Sequence, residues 1–299
     1  THRYHHCGNH HHRGRRQNQR SVSLPLHASV FQKRPEVNVK TRLKLVPQKV
    51  PDRPTESILE IRDLRKTFQV SGKFTTILEQ IHFSVNKGEM ICILGRSGCG
   101  KTTLLNILAG FISPTAGQVL LGGHSATKPG PDRCVVFQDD ALFPWLTVEE
   151  NIGFGLGGTR RKVREETDRF LSLVGLTEFR DYLPREISGG MKQRVALARV
   201  LILKPAVLLM DEPFAALDAQ TREDMQNLLL SLWQKLSHTI LFVTHDVQEA
   251  VKMADRILLM GKDPGRIRQD MAVDLPRPRE MDTTQFLVLC RTLLEALRK

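Results

Sequence analysis

The segment GRSGCGKT, Gly95 to Thr102, has the residue types and spacing of a loop that holds phosphate groups. It fits the pattern G-x-x-x-x-G-K-[ST] and lies between the apolar run MICIL and the helical pattern TTLLNILAG. Glycines let backbone N–H groups point at phosphate oxygens, Lys101 can reach the terminal phosphates, and the Thr102 hydroxyl is suited to Mg²⁺. In this context the pattern predicts an ATP site.

Polar residues follow three further apolar runs. Asp211 and Glu212 end VLLMDE, where the first is placed to hold Mg²⁺ and the second to orient or deprotonate the attacking water. By themselves two such acids are also typical of solvated strand ends, and the phosphate loop upstream favours catalysis. His245 follows LFVT and Gln138 follows CVVF. Because a parallel sheet gathers strand ends at its ligand edge, both are candidates for the same site, and each also has an ordinary structural interpretation.

The stretch ISGGMKQR, Ile187 to Arg194, has the features of a second anion site. Ser188 can cap the basic helix that begins there, Gly189 and Gly190 let the backbone approach a ligand, and the helix dipole favours negative charge. A single ATP site has no evident use for two phosphate cradles, so the second one needs an explanation.

The elements that must position these residues show alternating strand and helix patterns. SILEIRDLRKTFQV and TTILEQIHFSV alternate polar and apolar residues, whereas MICILG, VLLMD and TILFVTH are apolar runs of buried-strand length. RRKVREETDRFLSLVGL predicts an amphipathic helix inside a helical insertion of about residues 140–187. The final stretch predicts another amphipathic helix, which we expect to pack on the domain rather than on a partner. This alternation predicts an α/β fold with a mostly parallel sheet.

In their order these motifs resemble the ATP-binding subunit of an ABC transporter, over about Leu59 to Gly265. GRSGCGKTT matches the Walker A motif of that family, ISGGMKQR its signature, VLLMDE its Walker B motif, and AALD (215–218) its D-loop. Gln138 matches the Q-loop and His245 the switch histidine. Two positions differ from the usual pattern: Ile187 stands where leucine is more common, and Phe68 where the adenine-stacking residue is often tyrosine. For Phe68, plain core packing is the alternative.

The resemblance implies a P-loop NTPase, ABC-type fold with a mostly parallel core sheet, an antiparallel β subdomain and a helical insertion. It implies catalytic roles for Glu212, His245 and Gln138, and Mg²⁺ ligation by Thr102, Gln138 and Asp211. Two copies would meet head to tail, each covering the ATP of the other. The implied ATP contacts are Gly95, Arg96, Ser97, Gly98, Cys99, Gly100, Lys101, Thr102, Thr103 and Phe68 of one copy, with Ser188, Gly189, Gly190 and, at the seam, Asp218 of the other.

Longer stretches, among them DPGRI and DLPRPR, resemble the nitrate, sulfonate and taurine importers. The implied partners are membrane permease subunits, a second copy and, indirectly, a solute-binding protein, with no nucleic acid and a peripheral location on the cytoplasmic side of the inner membrane. Leu142, Phe143, Trp145 and Leu146 would carry motion to the permease, unless they serve the core of the insertion. An exporter shares all the motifs, and a soluble ABC ATPase of DNA repair or translation is disfavoured by the lack of sustained heptads.

Composition divides the chain. Residues 1–56 hold twelve Lys and Arg against three acids, so the net charge of +12 belongs mostly to this end. We predict a disordered, basic, His-rich tail at 1–57, an ATP-binding domain at 58–282 and a C-terminal helix at 283–299. The tail has three interpretations: a translated upstream region or expression remnant, a targeting peptide, or a metal- or lipid-binding arm. The five cysteines lack paired spacing, which argues against zinc or disulfides, and no apolar run reaches the ~18 to 20 residues of a membrane span.

Overall fold

The computed structural model describes residues 56–70, 72–137 and 141–298 of the chain. Its strands are β1 Ser57–Val70, β2 Lys73–Asn86, β3 Met90–Gly95, β4 Ala116–Leu121, β5 His124–Ser125, β6 Arg133–Val136, β7 Val207–Asp211, β8 Ile240–Thr244, β9 Arg256–Met260 and β10 Ile267–Ala272. Its α-helices are α1 Lys101–Leu108, α2 Val148–Gly153, α3 Arg160–Leu173, α4 Gly189–Leu201, α5 Ala219–Leu236, α6 Val247–Met253 and α7 Thr284–Arg298. Short 3₁₀ helices occur at Thr177–Phe179 and Pro184–Glu186.

A six-stranded sheet in the order β10-β9-β3-β8-β7-β6 forms the centre of the fold. Its neighbouring strands are parallel, except that β10 is antiparallel to β9. Every residue of β3 and β8 is buried, because both faces of the sheet are covered, and this burial explains their unbroken apolar sequences. The predicted mostly parallel sheet is confirmed. Its register brings the carboxyl ends of β3, β7 and β8 together, with Leu94 opposite Thr244 and Asp211 opposite Val243.

An antiparallel sheet in the order β2-β1-β4-β5 covers one face of the central sheet. Its inward side chains, such as Ile61 and Ile81, share one apolar cluster with α1 and with Ile91 and Ile93 of β3. The alternating sequences of β1 and β2 reflect strands that are buried on one side only. The predicted antiparallel subdomain is therefore confirmed.

The α-helices that follow β6 contribute to a second apolar cluster on the opposite face of the central sheet. Successive residues of β3 point to opposite faces, so Met90 and Cys92 belong to this cluster while Ile91 and Ile93 belong to the first. The predicted helix at 160–174 forms α3, and its Phe170 and Leu171 are buried here. The helical part of the chain therefore shares a core with the sheet.

Asn151 of α2 pins the segment that leads into the helical part. This fully buried side chain donates hydrogen bonds from Nδ2 to the carbonyls of Phe143, Leu146 and Thr147, and its Oδ1 accepts one from the Phe143 N–H. Thr147 caps α2, where its side chain and that of Glu150 each accept a hydrogen bond from the other residue's N–H. These contacts give residues 143–147 a defined path despite the absence of regular secondary structure.

The C-terminal helix α7 packs against α6 through Phe286, Cys290 and Leu293, as expected from its apolar stripe. Arg279, in the connection to α7, donates hydrogen bonds to the Val251 and Ala254 carbonyls at the end of α6. Burial lowers the pKa of Arg279 to about 10. The end of the chain is thus tied to the domain by both packing and hydrogen bonds.

Some sequence-based expectations fall on residues that the structure does not describe. The tail lies outside the described residues apart from Glu56 and Ser57, and Ser57 already belongs to β1. Gln138 and Asp140 also lie outside them. Within the described residues the cysteines are free, and none of the helices there has both the length and the apolar character of a membrane span.

Candidate functional site

The phosphate loop connects β3 to α1, as the sequence pattern predicts. Gly100 has φ of +101°, and a Cβ there would lie 2.7 Å from Leu78 Cδ2, so no other residue fits without rearrangement. Lys101 is only 5% exposed, and its ammonium donates to the Gly95 carbonyl at 2.9 Å and to the Arg96 carbonyl at 3.3 Å. The loop therefore surrounds the Lys101 side chain, and the loop backbone lies against β2.

The remaining residues of the loop differ in exposure. Arg96 and Ser97 are exposed, Gly98 has φ of +79°, and Thr103 is half-buried on α1. Cys99 is buried inside the loop, and this burial raises the pKa of its thiol. Cys99 is therefore a packing residue of the loop, while its neighbours present the open side.

Two acids at the end of β7 face the start of α1. The Thr102 hydroxyl donates to Asp211 Oδ1 at 3.3 Å, and Lys101 Nζ lies 3.6 Å from Glu212 Oε1. Partial burial raises the pKa of Asp211, the nearby charge of Glu212 acts in the same direction, and the Thr102 hydrogen bond and Lys101 oppose it. A hydroxyl and a carboxylate side by side are a donor set that Mg²⁺ accepts when phosphate oxygens complete its shell.

Glu212 is held in a conformation that non-glycine residues rarely adopt. Its φ is +45°, and its N–H donates to the Val243 carbonyl of β8 at 3.1 Å. His245 Nδ1 lies 3.1 Å from Glu212 Oε2. Unusual backbone geometry of this kind costs about 1 to 3 kcal/mol and is concentrated at functional sites. This backbone conformation places the Glu212 carboxylate between Lys101 and His245, at a cost in folding stability.

Glu249, which sequence reasoning missed, fixes the loop that carries His245. The Thr244 hydroxyl donates to Glu249 Oε2 at 2.7 Å and accepts a hydrogen bond from the Asp246 N–H. Asp246 in turn caps α6 by accepting from the Gln248 and Glu249 N–H groups. Glu249 is 6% exposed, and its Oε1 has no hydrogen-bond partner among the described residues. The sequence feature that could have indicated Glu249 is an acid in the first turn of a helix that directly follows a buried strand.

Glu249 makes folding stability depend on pH. Burial raises its pKa from 4.5 to about 7, the Thr244 hydrogen bond opposes this, and Asp246 adds to it. A carboxyl group whose pKa is raised by folding stabilises the folded state fully at pH values below its unfolded pKa. This stabilisation is lost as the pH rises to the folded pKa, here between about 4.5 and 7.

Between pH 5 and pH 8, we expect the free energy of unfolding of the wild type to fall by about 2 kcal/mol more than that of Glu249→Gln, as measured by urea unfolding. Exposed Glu280→Gln serves as control; equal pH dependence of the Glu249→Gln variant and the wild type would contradict the assignment.

The second predicted anion site lies at the first turn of α4. The Ser188 side chain accepts from the Met191 N–H at 3.3 Å and so caps the helix as predicted. A Cβ on Gly190 would lie 2.9 Å from Thr221 Cγ2 of α5, so α4 and α5 begin in close contact. Asp218 caps α5, and its hydrogen bonds from Thr221 lower its pKa.

A cavity of about 540 Å³ opens at this junction, which we call the signature cavity. Ser188, Gly189, Gly190 and Asp218 line it, together with the turn at Gly175 and Leu176. None of residues 95–103 lines it. The structure thus divides the predicted ATP contacts of one chain into two groups, the phosphate loop with its acids and the signature cavity with Asp218.

Phe68 lies on β1 opposite Thr75 and is half-buried. The Lys66 ammonium lies 4.8 Å from the centroid of its ring. The antiparallel sheet that carries Phe68 also contacts the phosphate loop through Leu78. The stacking role of Phe68 stays a prediction.

A phosphate loop at the carboxyl edge of a parallel sheet, facing a pair of acids on the next strand but one, defines the class of P-loop nucleoside triphosphatases. Residues 78–215 match the family model described as ABC transporter. The nitrate import ATP-binding protein NrtD of Synechocystis sp. is 46% identical over 225 residues, which are 74% of this chain and 85% of the relative. The taurine import ATP-binding protein TauB of Roseobacter denitrificans is 46% identical over 216 residues, or 71% and 81% of the two chains.

A bicarbonate transport ATP-binding protein, CmpD of Synechocystis sp., is 45% identical over 237 residues, 77% of this chain and 84% of that one. Among solved structures, a dimeric ATP-binding cassette in a post-hydrolysis state, bound to ADP and Pi, is similar with a TM-score of 0.62 and 29% identity. The match covers 73% of this chain and all of that one. The chain belongs to the ATP-binding subunits of ABC transporters, and it is an ATPase.

Proposed function

We propose that this ATP-binding subunit energises an importer for small anionic solutes such as nitrate, sulfonates or taurine. The observation that carries the proposal is the identity of 44 to 46% to proteins named for the import of nitrate and taurine, over more than 70% of the chain. The related bicarbonate transport protein adds another small oxygen-containing anion to the set. The ATPase subunit need not touch the solute, so these relatives support a class of solute rather than one compound.

In this proposal the chemistry of ATP hydrolysis is divided among the residues at the sheet edge. Lys101 and the N–H groups of the loop, residues 95–103, bind the phosphates. Thr102 and Asp211 would hold Mg²⁺, with Gln138 as a further predicted ligand, and the ion would neutralise charge on the phosphates. Glu212 orients and deprotonates the attacking water, and His245, fixed against Glu212, orients that carboxylate and binds near the γ-phosphate.

The division of ATP contacts between two places in one chain supports a composite site. Ser188, Gly189 and Gly190 line a cavity that the phosphate loop does not border, so a second copy is needed to bring the two groups to one nucleotide. A two-fold, head-to-tail dimer forms two such sites at once. ATP binding then closes the dimer because only the triphosphate reaches both copies, and hydrolysis weakens the closure. Asp218, at the edge of the signature cavity, lies at the seam.

An exposed aromatic cluster in the helical part is a suitable docking surface for the permease. Phe143 lies 4.4 Å from Phe154 and 5.6 Å from Trp145 between ring centroids, and Trp145 is 72% exposed. Asn151 holds Phe143 in place, while Leu142 and Leu146 are half-buried and Leu142 packs against the core. Exposed aromatic side chains on a rigid support are typical of interface anchors.

The domain boundaries and location follow from the same proposal. We assign residues 58–282 to the ATP-binding domain, residues 283–299 to the C-terminal segment, of which Thr284–Arg298 form α7, and residues 1–57 to a tail that no step above requires, although Ser57 belongs to β1. The subunit acts as a peripheral protein on the cytoplasmic side of the inner membrane, through its permease, with a solute-binding protein as indirect partner and no role for nucleic acid.

The test is ATP hydrolysis by the complex reconstituted with its permease and solute-binding protein. We expect hydrolysis to rise several-fold with one of nitrate, an alkanesulfonate, taurine or bicarbonate, and that anion to be carried inward. The matched variants are Trp145→Ala, which we expect to weaken co-purification with the permease, and Phe74→Ala, an equally exposed aromatic on β2 that should not. Outward transport would refute the import assignment, and no response to any of these solutes would refute the proposed solute class.

A further inference from the structure

A second cavity, of about 130 Å³, lies where the end of α7 meets the phosphate loop and the turn between β9 and β10. Four of its lining residues are charged, and all four are cations: Arg96, Lys262, Arg268 and Arg298. Apolar residues, such as Met260 and Leu297, form much of the remaining wall. We call it the four-cation cavity.

None of these four cations pairs with an acid in the part of the chain that the structure describes. Arg266, on the same turn as Lys262, pairs instead with Glu79. Among the described residues, the four cations of the cavity therefore have no acidic partner within ion-pair distance.

Backbone packing, rather than ion pairing, holds the Arg268 side chain. The Arg268 guanidinium lies directly on Gly261, where a Cβ would come within 2.0 Å of its Nε. Lys262 extends toward the phosphate loop, with its Cε 3.9 Å from the Cβ position of Gly98. The turn that carries them is closed by a hydrogen bond of 2.9 Å from the Gly261 N–H to the Arg266 carbonyl. The turn thus positions the Arg268 side chain in advance of any ligand, while all four cations stay accessible to solvent.

We propose that the four-cation cavity binds a compact, multiply charged oxoanion of the phosphate or sulfate class. Its 130 Å³ equals the share of about four water molecules in liquid water, which suits a tetrahedral oxoanion. It is well below the ~300 Å³ at which pockets for larger organic ligands begin, so a second nucleotide does not fit. A cleft lined by one sign of charge concentrates counter-ions, and arginine forks bind such oxygens in pairs.

The bound anion would link the end of the chain to the nucleotide site. Arg298 belongs to the last turn of α7, while Arg96 belongs to the phosphate loop and its carbonyl accepts from Lys101. An oxoanion between them offsets part of the repulsion among the four positive charges and joins α7 to the loop. This function lies beyond ATP hydrolysis and does not depend on which solute the transporter carries.

The test is isothermal titration calorimetry of the full chain saturated with Mg-ADP, so that nucleotide already occupies the phosphate loop. Inorganic phosphate and sulfate are titrated separately at constant ionic strength, set with chloride. We expect one saturable site for at least one of the two anions in the wild type, and at least tenfold weaker binding in the Arg268→Gln/Arg298→Gln variant. Arg291→Gln is the matched control, because Arg291 lies on the same helix but pairs with Glu295 outside the cavity.

The proposal is overturned by the absence of a saturable site for both anions in the wild type, or by equal affinity in the double variant. Equal binding of monovalent nitrate would also count against it, because it would show unspecific attraction to positive charge. Circular dichroism melting checks that the double variant folds. If it does not, Lys262→Gln, an exposed change on the turn, replaces it with the same expected direction.

Discussion

Replacing Glu212 by glutamine is expected to reduce ATP turnover at least 100-fold while ATP still binds. Glutamine keeps the shape of the side chain and its contact with His245 at 3.1 Å, but it cannot accept a proton from water. In the proposed mechanism hydrolysis releases the composite site, so ATP should then hold two copies of this variant together. Light scattering after gel filtration should report a dimer with ATP and a monomer with ADP.

Glu280→Gln is the matched control, since it removes an exposed acid far from the sheet edge and should behave as wild type. If the Glu212→Gln protein hydrolyses ATP at the wild-type rate, Glu212 does not deprotonate the attacking water. One that binds ATP but stays monomeric would contradict the account of closure while leaving the chemistry intact. The two outcomes are separable because binding, turnover and size are measured independently.

Replacing Lys101 by alanine is expected to weaken ATP binding by about 100-fold, which is the value of losing charge-assisted hydrogen bonds to phosphate at a shielded position. Lys101 is 5% exposed, and its ammonium is already held by the Gly95 and Arg96 carbonyls. Binding of phosphate therefore costs little further side-chain entropy. Fluorescence titration with a labelled ATP analogue measures the loss.

The control for this variant is Lys235→Ala, an exposed lysine in the last turn of α5. We expect it to bind nucleotide as the wild type does. Unchanged affinity in Lys101→Ala, with the fold verified by circular dichroism, would show that the loop binds phosphate through its backbone alone. The assignment of Lys101 would then fail even though the motif is present.

Much of this site can be predicted from the sequence because each of its parts depends on residues that are close together in the chain. The phosphate loop, the acids after β7 and the cap at Ser188 each depend on residues within one strand, turn and helix start, so short patterns determine them. The same locality explains why the sheet class was predictable: unbroken apolar runs such as MICILG occur where both faces of a parallel strand are covered.

What the sequence does not reveal depends on contacts between distant segments. The pKa of Glu249 is raised because α6 buries its carboxyl beside Thr244, and no spacing rule measures that burial. The four-cation cavity joins residues 96, 262, 268 and 298, which are separated along the chain and belong to different elements. Likewise, only the structure shows that the phosphate loop does not border the signature cavity.

In the proposed dimer Ser188 contacts the nucleotide held by the neighbouring copy, and mixing two defective subunits distinguishes this from a site completed within one chain. Neither Ser188→Arg nor Lys101→Ala subunits should close with ATP alone. A mixed pair keeps one intact site, formed by Lys101 of the first variant and Ser188 of the second. Fluorescence energy transfer between differently labelled variants should therefore appear on adding ATP and disappear with ADP. If the mixture shows no ATP-dependent transfer, or if Ser188→Arg subunits close alone, the composite site is contradicted.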